Sequence, residues 1–372
     1  MEDNKINKTL LNFRGYGLLK SEFDYKIINN LKHELTVSPK NLSSFNNNSA
    51  NMPSYFIYQE SEKRLYIPKH LGLQRFGVPD KDKLKEGLDI NLKFNGGLRE
   101  NQVKPVEAFL KAAKDDTKRG GLINLCCGGG KTCCSLYIIS KLQKKTLVIV
   151  HKDFLLKQWR ERIEQFLPDA RIGLIKAKVI DIEDKDIVVG SLQSLSMKEY
   201  DKGTFDEFGF MICDEVHHLS SEVFSRALQK INCRYSLGLS ATMTRKDGLS
   251  KVFKWHLGDI VYKNRQKRVD NVDIICYEYF VEDDRYSKEE LLFNGKPNMA
   301  RMINNICEYE PRIDKLVSII KKIKKNEENK NIIILSDRRN HLKELKNKLD
   351  SKEIGNVGYY VGGMKDEELK KS

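Results

Sequence analysis

The sequence predicts an α/β protein: a parallel sheet covered by helices on both faces, a small α+β module before it, and a partial second lobe of the same kind after it. Three observations carry this reading. From about Leu98 onward, short apolar runs alternate with longer amphipathic stretches. Polar residues able to do chemistry stand directly after several of those runs, where a parallel sheet gathers its strand ends. The first 95 residues lack that alternation.

In the N-terminal module, "SEFDYKIINNLKHEL" spaces Phe23, Ile27, Ile28, Leu31 and Leu35 as one helix face, with Ser21 as the expected N-cap. "NLSSFNNNSANMPS" is polar and unpatterned, so it reads as a loop. "YFIYQESEKRLYIPKH" reads as a hairpin turning at Ser61-Glu62-Lys63, with Tyr55, Phe56 and Tyr58 as strand core. In the next region, "GLINLCC", "TLVIV", "DIVVG", "GFMIC" and "YSLGLS" are strands. "KTCCSLYIISKL" and "DFLLKQWRERIEQFL" are helices, the latter with Leu156, Trp159, Ile163 and Phe166 on one face. The basic stretch between His256 and Asp270 is a junction. Beyond it, "VDIICYEYF", "NIIILS" and "VGYYVG" are expected strands, and "RIDKLVSIIKKI" and "RRNHLKELKNKL" expected helices. The domain division is therefore 1–95, 96–255 and 256–372.

A chain of 372 residues with 40% hydrophobic residues can bury real cores, which excludes a disordered chain. No apolar run is long enough to cross a bilayer, and "MEDNKINKTL" has no signal-peptide core. These features place the protein inside a cell, with no membrane partner. The formal charge of +14 favours polyanionic partners. Cys126-Cys127 and Cys133-Cys134 lack the C-x2-C spacing of zinc ligands, so they read as small residues in a reducing compartment.

The chemistry begins at "LCCGGGKT", Leu125 to Thr132. Phosphate binding needs backbone N–H groups turned inward at a helix N-terminus, and Gly128, Gly129 and Gly130 permit that turn. Cys126 and Cys127 complete the loop, and Leu125 stands at the strand end where the usual pattern has glycine. Lys131 can reach the β- and γ-phosphates of ATP, and the Thr132 hydroxyl can hold Mg²⁺. In "GFMICDEVHH", Asp214 and Glu215 follow an apolar run directly. Asp214 is placed to position Mg²⁺ and Glu215 to orient and deprotonate the attacking water. In "LGLSATMTRKDG", the Ser240 and Thr242 hydroxyls can bond to the acidic motif and sense the γ-phosphate.

"GGGKT", "DEVH" and "SAT", in that order at separate strand ends, resemble the superfamily 2 helicases of DExH type, nearest to the XPB-type DNA helicases and the similar helicases of large cytoplasmic DNA viruses. The resemblance covers most of the chain from Leu98. "GLRENQ" resembles the adenine-recognition segment, which implies Arg99 and Gln102 at the base. "LVIVHKDFLLKQWRERIEQFLP" and "VVGSLQSLS" resemble motifs Ia and Ib, and "NIIILSDRRNHLKELKNKL" the opening of the second motor lobe. "TRKDG" is similar to the Arg-Glu-Asp element of the XPB type, with Lys246 in place of the acid. "LTVSPK" and "YIPKHLGLQRFG" are similar to the N-terminal region of the viral group.

The resemblance implies RecA-like lobes, ATP bound between them with Mg²⁺, and hydrolysis coupled to movement along a strand. It implies that His217, with Ser240 and Thr242, couples hydrolysis to that movement. His151, Lys152, Gly190, Ser191 and Arg245 are the implied nucleic-acid contacts. Duplex DNA is the favoured partner ahead of RNA, with transcription or repair machinery as the wider setting, in the cytoplasm or virion if the protein is viral. The family's motifs V and VI have no counterpart after "VGYYVGGMKDEELKKS". An arginine of the kind motif VI supplies is worth roughly 10³ to 10⁵ in rate, so slow hydrolysis by this chain alone is expected. The alternatives are a truncated or inactive ATP- and nucleic-acid-binding fragment, an RNA helicase, and a restriction-type motor.

Overall fold

The computed structural model describes residues 7–38, 54–216, 221–242, 249–264, 274–326 and 331–364. The chain divides into two compact units, Met1–Lys267 and Arg268–Ser372.

The first unit holds two large sheets. The smaller is built from β1 (Thr9–Asn12), β2 (Gly15–Leu19), β5 (Gln59–Glu60), β6 (Arg64–Ile67) and β7 (Lys81–Asp82) in the order β5-β6-β2-β1-β7. A two-stranded pair, β3 (Thr36–Val37) and β4 (Tyr55–Phe56), stands beside it in the chain. The expected hairpin is present at its turn, where β5 pairs antiparallel with β6 around Ser61–Lys63, but Tyr55 and Phe56 pair with β3 instead, and Phe56, expected in the core, is 58% exposed. Helix α1 (Tyr25–Glu34) forms as its apolar spacing predicts, burying Ile28 and Leu31. Its cap differs from expectation. Asp24 accepts a hydrogen bond from the Lys26 N–H at 2.7 Å, while Ser21 lies in a short 3₁₀ turn, Lys20–Glu22. A carboxylate immediately before the first turn outcompetes a serine one turn too early.

The larger sheet has eight strands: β8 (Gly120–Asn124), β9 (Thr146–Val150), β10 (Ile172–Lys176), β11 (Val179–Asp181), β12 (Ile187–Ser191), β13 (Phe210–Cys213), β14 (Tyr235–Ser240) and β15 (Ile260–Lys263). Their order is β11-β10-β12-β9-β13-β14-β8-β15. Every neighbouring pair is parallel except the edge pair β10–β11. Successive residues serve opposite faces. Val148, Val150, Phe210 and Ile212 join one core with Phe109, Ile139 and Ile163. Leu147, Ile149, Met211 and Cys213 join the other with Leu195, Phe224 and Phe253. A strand buried on both faces reads as a continuous apolar run, which is why these strands were legible.

Helices α3 (Glu100–Lys114), α4 (Lys131–Leu142) and α5 (Asp153–Phe166) pack on the first face; α6 (Leu192–Met197), α7 (Ser221–Leu228) and α8 (Ser250–Leu257) follow the later strands. Strand β15, inside the basic stretch after His256, adds a parallel edge beside β8. The two sheets are tied by α2 (Lys69–Phe76). Its buried Lys69 ammonium donates to the Arg234 carbonyl and the Ser236 hydroxyl, each at 3.0 Å.

The second unit contains α9 (Asp284–Ser287), α10 (Met299–Glu308), α11 (Glu310–Asn326) and α12 (Arg339–Ser351). The last two bury Ile313, Val317, Leu345 and Leu349 against one another. The expected strands do not form: the described parts of "VDIICYEYF", "NIIILS" and "VGYYVG" carry no ladder. A parallel strand exists only by pairing its N–H and C=O groups with a neighbour. Ile333 and Leu335 are instead 84% and 88% exposed.

Candidate functional site

Strands β13, β14 and β8 are consecutive neighbours and parallel, so their C-terminal ends share one edge of the sheet. The three motifs singled out in the sequence sit on that edge. Strand β8 runs into residues 125–130, and α4 begins at Lys131. Gly128 and Gly130 have φ of +75° and +82°, the left-handed region that favours glycine. The Gly129 N–H donates to the Cys126 carbonyl at 3.1 Å, closing the turn. Gly130 is constrained a second way. A Cβ there would stand 1.9 Å from Gln102 Nε2, so the Gln102 amide packs directly on the loop. Leu125 is buried, whereas Cys126 and Cys127 are exposed.

The Lys131 ammonium donates to Glu215 Oε1 at 2.6 Å, across the end of the sheet. Asp214, next to it, is only 6% exposed. Burial pushes the Asp214 carboxyl above the ordinary carboxylate range, opposed by a hydrogen bond from Trp159. Trp159 Nε1 donates to Asp214 Oδ2 at 2.9 Å, and the Glu215 N–H donates to Asp214 Oδ1 at 2.9 Å. Glu215 has φ of +51°. A non-glycine residue held there stores roughly 1–2 kcal/mol of strain, a feature found at sites where orientation matters.

The third motif is tied to the first through the backbone. Asn124 Nδ2 donates to the Ser240 and Ala241 carbonyls at 3.2 and 3.0 Å, and the Leu125 N–H donates to the Ser240 carbonyl at 3.1 Å. The Ser240 hydroxyl donates to the Thr242 carbonyl. Thr132 is half-buried on the first turn of α4.

The remaining expected residues are distributed as follows. Arg99 is exposed just before α3, and its N–H donates to the Gln102 side chain at 2.8 Å. His151 and Lys152 follow β9 on the same edge, with Lys152 exposed. The Ser191 hydroxyl donates to Gln193 Oε1 at 3.0 Å, and Gln193 Nε2 donates to the His151 carbonyl at 3.0 Å, so the ends of β9 and β12 are joined. Gly190 is enclosed in β12, where a Cβ would meet Leu195 at 3.1 Å; no surface is left at that position. His217 and Arg245 lie outside the described residues.

Three residues were not anticipated in these roles: Trp159, read only as packing, and Asn124 and Gln193. An indole inside an otherwise apolar helix face was the available signal, since a buried indole N–H needs an acceptor.

Comparison with known proteins gives the family. The profile of the family described as "Type III restriction enzyme, res subunit" matches residues 95–245. A protein of Acanthamoeba polyphaga mimivirus, named for an ATP-dependent RNA helicase, is 33% identical over 99% of this chain and 71% of its own length. The chain belongs to the superfamily 2 helicases. That family consists of nucleic-acid-dependent ATPases, and ATP use comes with membership. A protein of Invertebrate iridescent virus 6, named as a helicase, is 27% identical over 69% of this chain and 57% of its own length. The "DNA 3'-5' translocase XPB2" of Sulfurisphaera tokodaii is 36% identical over 49% of this chain, which spans 39% of that relative. Among the described residues no helix is long and apolar enough to cross a membrane.

The residues present fit Mg²⁺ and a nucleoside triphosphate. The loop offers a cradle without side chains at Gly128, a lysine at the helix start with the Glu215 carboxylate opposite it, and the buried Asp214 carboxylate next to Glu215.

Proposed function

We propose that this helicase-family chain is an ATP-driven motor acting on duplex DNA. The observation that supports it most is the 2.6 Å contact between Lys131 and Glu215, with Asp214 beside it. Two motifs 84 residues apart in sequence converge there on one edge of the sheet. Lys131 and the loop N–H groups bind the phosphates, and Arg99 and Gln102 face the base. Thr132 and Asp214 hold Mg²⁺, which when bound neutralises phosphate charge. With nucleotide present, Lys131 exchanges its carboxylate partner for phosphate oxygens. Glu215 is thereby released to hold and deprotonate the attacking water. Ser240, tied to the phosphate-loop strand through Asn124, and Thr242, whose carbonyl accepts from the Ser240 hydroxyl, pass the change to the neighbouring strand end. His151, Lys152, Ser191 and Arg245 contact the nucleic-acid backbone, and His217 acts with Ser240 and Thr242 in the coupling. Residues 1–95, 96–255 and 256–372 serve as N-terminal module, first motor lobe, and junction with part of a second lobe.

The DNA assignment is supported by the local identity to the DNA translocase of Sulfurisphaera tokodaii. An RNA substrate is favoured by a different observation: the relative named for an RNA helicase matches almost the whole chain. ATP hydrolysis with duplex DNA, with RNA and with neither, beside Lys131→Ala, decides. Turnover raised by duplex DNA and abolished by the substitution is the expected result. Stimulation by RNA alone overturns the DNA assignment. Absence of both turnover and Mg²⁺-dependent ATP binding overturns the motor reading.

A further inference from the structure

We propose that Trp159 is a positioning residue for the metal-binding carboxylate: its indole N–H, delivered by α5, fixes the Asp214 side chain. The inference rests on the nucleotide reading above and adds a residue to it. Helix α5 buries Leu155, Leu156, Trp159 and Ile163 on the sheet. Three of the four are aliphatic. The fourth is only 1% exposed, and its one polar atom must be satisfied inside the protein. The acceptor is Asp214 Oδ2 at 2.9 Å. A hydrogen bond to a carboxylate in a dry setting is among the stronger kinds, and it is directional.

The second Asp214 oxygen accepts from the Glu215 N–H at 2.9 Å. One donor comes from the adjoining peptide and turns with it. Trp159 supplies the donor from a separate element, 55 residues away in sequence, and so sets the carboxylate against the body of the sheet. Phenylalanine would fill most of the same space but would leave the buried carboxylate without its donor from α5, with the adjoining Glu215 N–H to hold it. Outer partners of this kind typically hold metal affinity by 10- to 100-fold.

The test uses the full chain. Binding of a fluorescent non-hydrolysable ATP analogue is titrated with Mg²⁺ for the unmodified protein and for Trp159→Phe, with EDTA as the metal-free reference. The variant is expected to bind nucleotide equally in EDTA and to need about 10-fold more Mg²⁺ for half-saturation. Equal Mg²⁺ requirements overturn the proposal. The chain holds two tryptophans, so 5-fluorotryptophan labelling gives a second readout by ¹⁹F NMR that stands even if the variant folds poorly. In the unmodified protein with nucleotide, Mg²⁺ is expected to shift the Trp159 signal and leave that of Trp255 in place. An unmoved Trp159 signal overturns the proposal. If the unmodified protein shows no Mg²⁺-dependent nucleotide binding at all, the underlying nucleotide reading fails, and this inference with it.

Discussion

Two apolar stretches, Thr146–Val150 in the first unit and Asn331–Ser336 in the second, have similar composition and end in different states. The first is β9, paired on both sides by β12 and β13 and no more than 1% exposed at its apolar residues. The second has no ladder, and Ile333 and Leu335 face outward. An apolar run states a demand for burial. Whether a strand results depends on neighbours that supply two hydrogen-bonding edges and helices that cover two faces. In the first unit α3, α4, α5 and α6 provide that cover. In the second, α11 and α12 bury a four-residue core and only partly cover Ile334 and Val357.

The largest expected difference is in amide hydrogen exchange. Amides of Thr146–Val150 open only with much of the sheet, so protection of roughly 10³-fold or more is expected. Those of Asn331–Ser336 should exchange within about tenfold of an unstructured peptide. Comparable protection in the two segments would break the comparison.

Side-chain truncation sharpens it. Phe210 is fully buried and packs at 5.8 Å from the Phe109 ring. Phe210→Ala should cost about 3–5 kcal/mol in denaturant unfolding of the first unit. Ile333→Ser, at an exposed position, should fall within about 0.5 kcal/mol of zero.

Histidines give a smaller contrast of defined sign. Burial lowers the His256 imidazole to about 3, and its Nε2 has no hydrogen-bond partner among the described residues. The folded value lies below the unfolded one, so the unfolded chain takes up a proton first as pH falls. The stability is therefore fully present above about pH 6.5 and is lost progressively toward pH 3. Between pH 6.5 and 5 the loss is about 2 kcal/mol, and His256→Phe should flatten it. His70, also pushed well down by burial, acts with the same sign. His341 in the second unit is lowered by burial too, but its Nδ1 keeps the Ser336 hydroxyl at 3.0 Å. A shallower acid response is expected there, read from thermal unfolding of His341→Phe across the same pH range.

What was legible follows the same division. Strands β8, β9, β12, β13 and β14 were readable because a doubly covered parallel strand writes its burial into consecutive residues, and α4 and α5 because their apolar residues recur at helical spacing; α6, α7 and α8 were not read. The edge where Lys131, Asp214 and Glu215 meet was readable because parallel strands of one sheet must end together. Strands β10 and β11 at the sheet edge were not, since Ile172 and Leu174 are only partly buried and all of β11 is exposed. The Trp159–Asp214 link was signalled only by an indole in an apolar helix face, which calls for an acceptor without saying which, and the Gln193–His151 link carried no signal, because the partners are set by packing. The strands expected in the second unit were misread for the reason given above: their sequences hold the demand for burial but not the partners.

The smallest effect compares two glycines. Gly130 and Gly363 both have positive φ, +82° and +92°. Alanine at either position should cost about 1 kcal/mol or a little more in backbone strain. A Cβ at Gly363 meets nothing within 4 Å, whereas at Gly130 it runs into the Gln102 amide. Gly363→Ala should therefore show the strain alone, in unfolding. Gly130→Ala should show the strain plus weakened nucleotide binding, because either the loop or Gln102 must move. Gln102 is buried and its Oε1 is held by the Arg99 N–H, so it has little freedom to withdraw. Adding Gln102→Ala to Gly130→Ala removes the obstruction and should return part of the stability. If the double variant is no more stable than the additive sum of the two single changes, the close packing of Gln102 on the loop is not what requires glycine there, and backbone conformation alone remains.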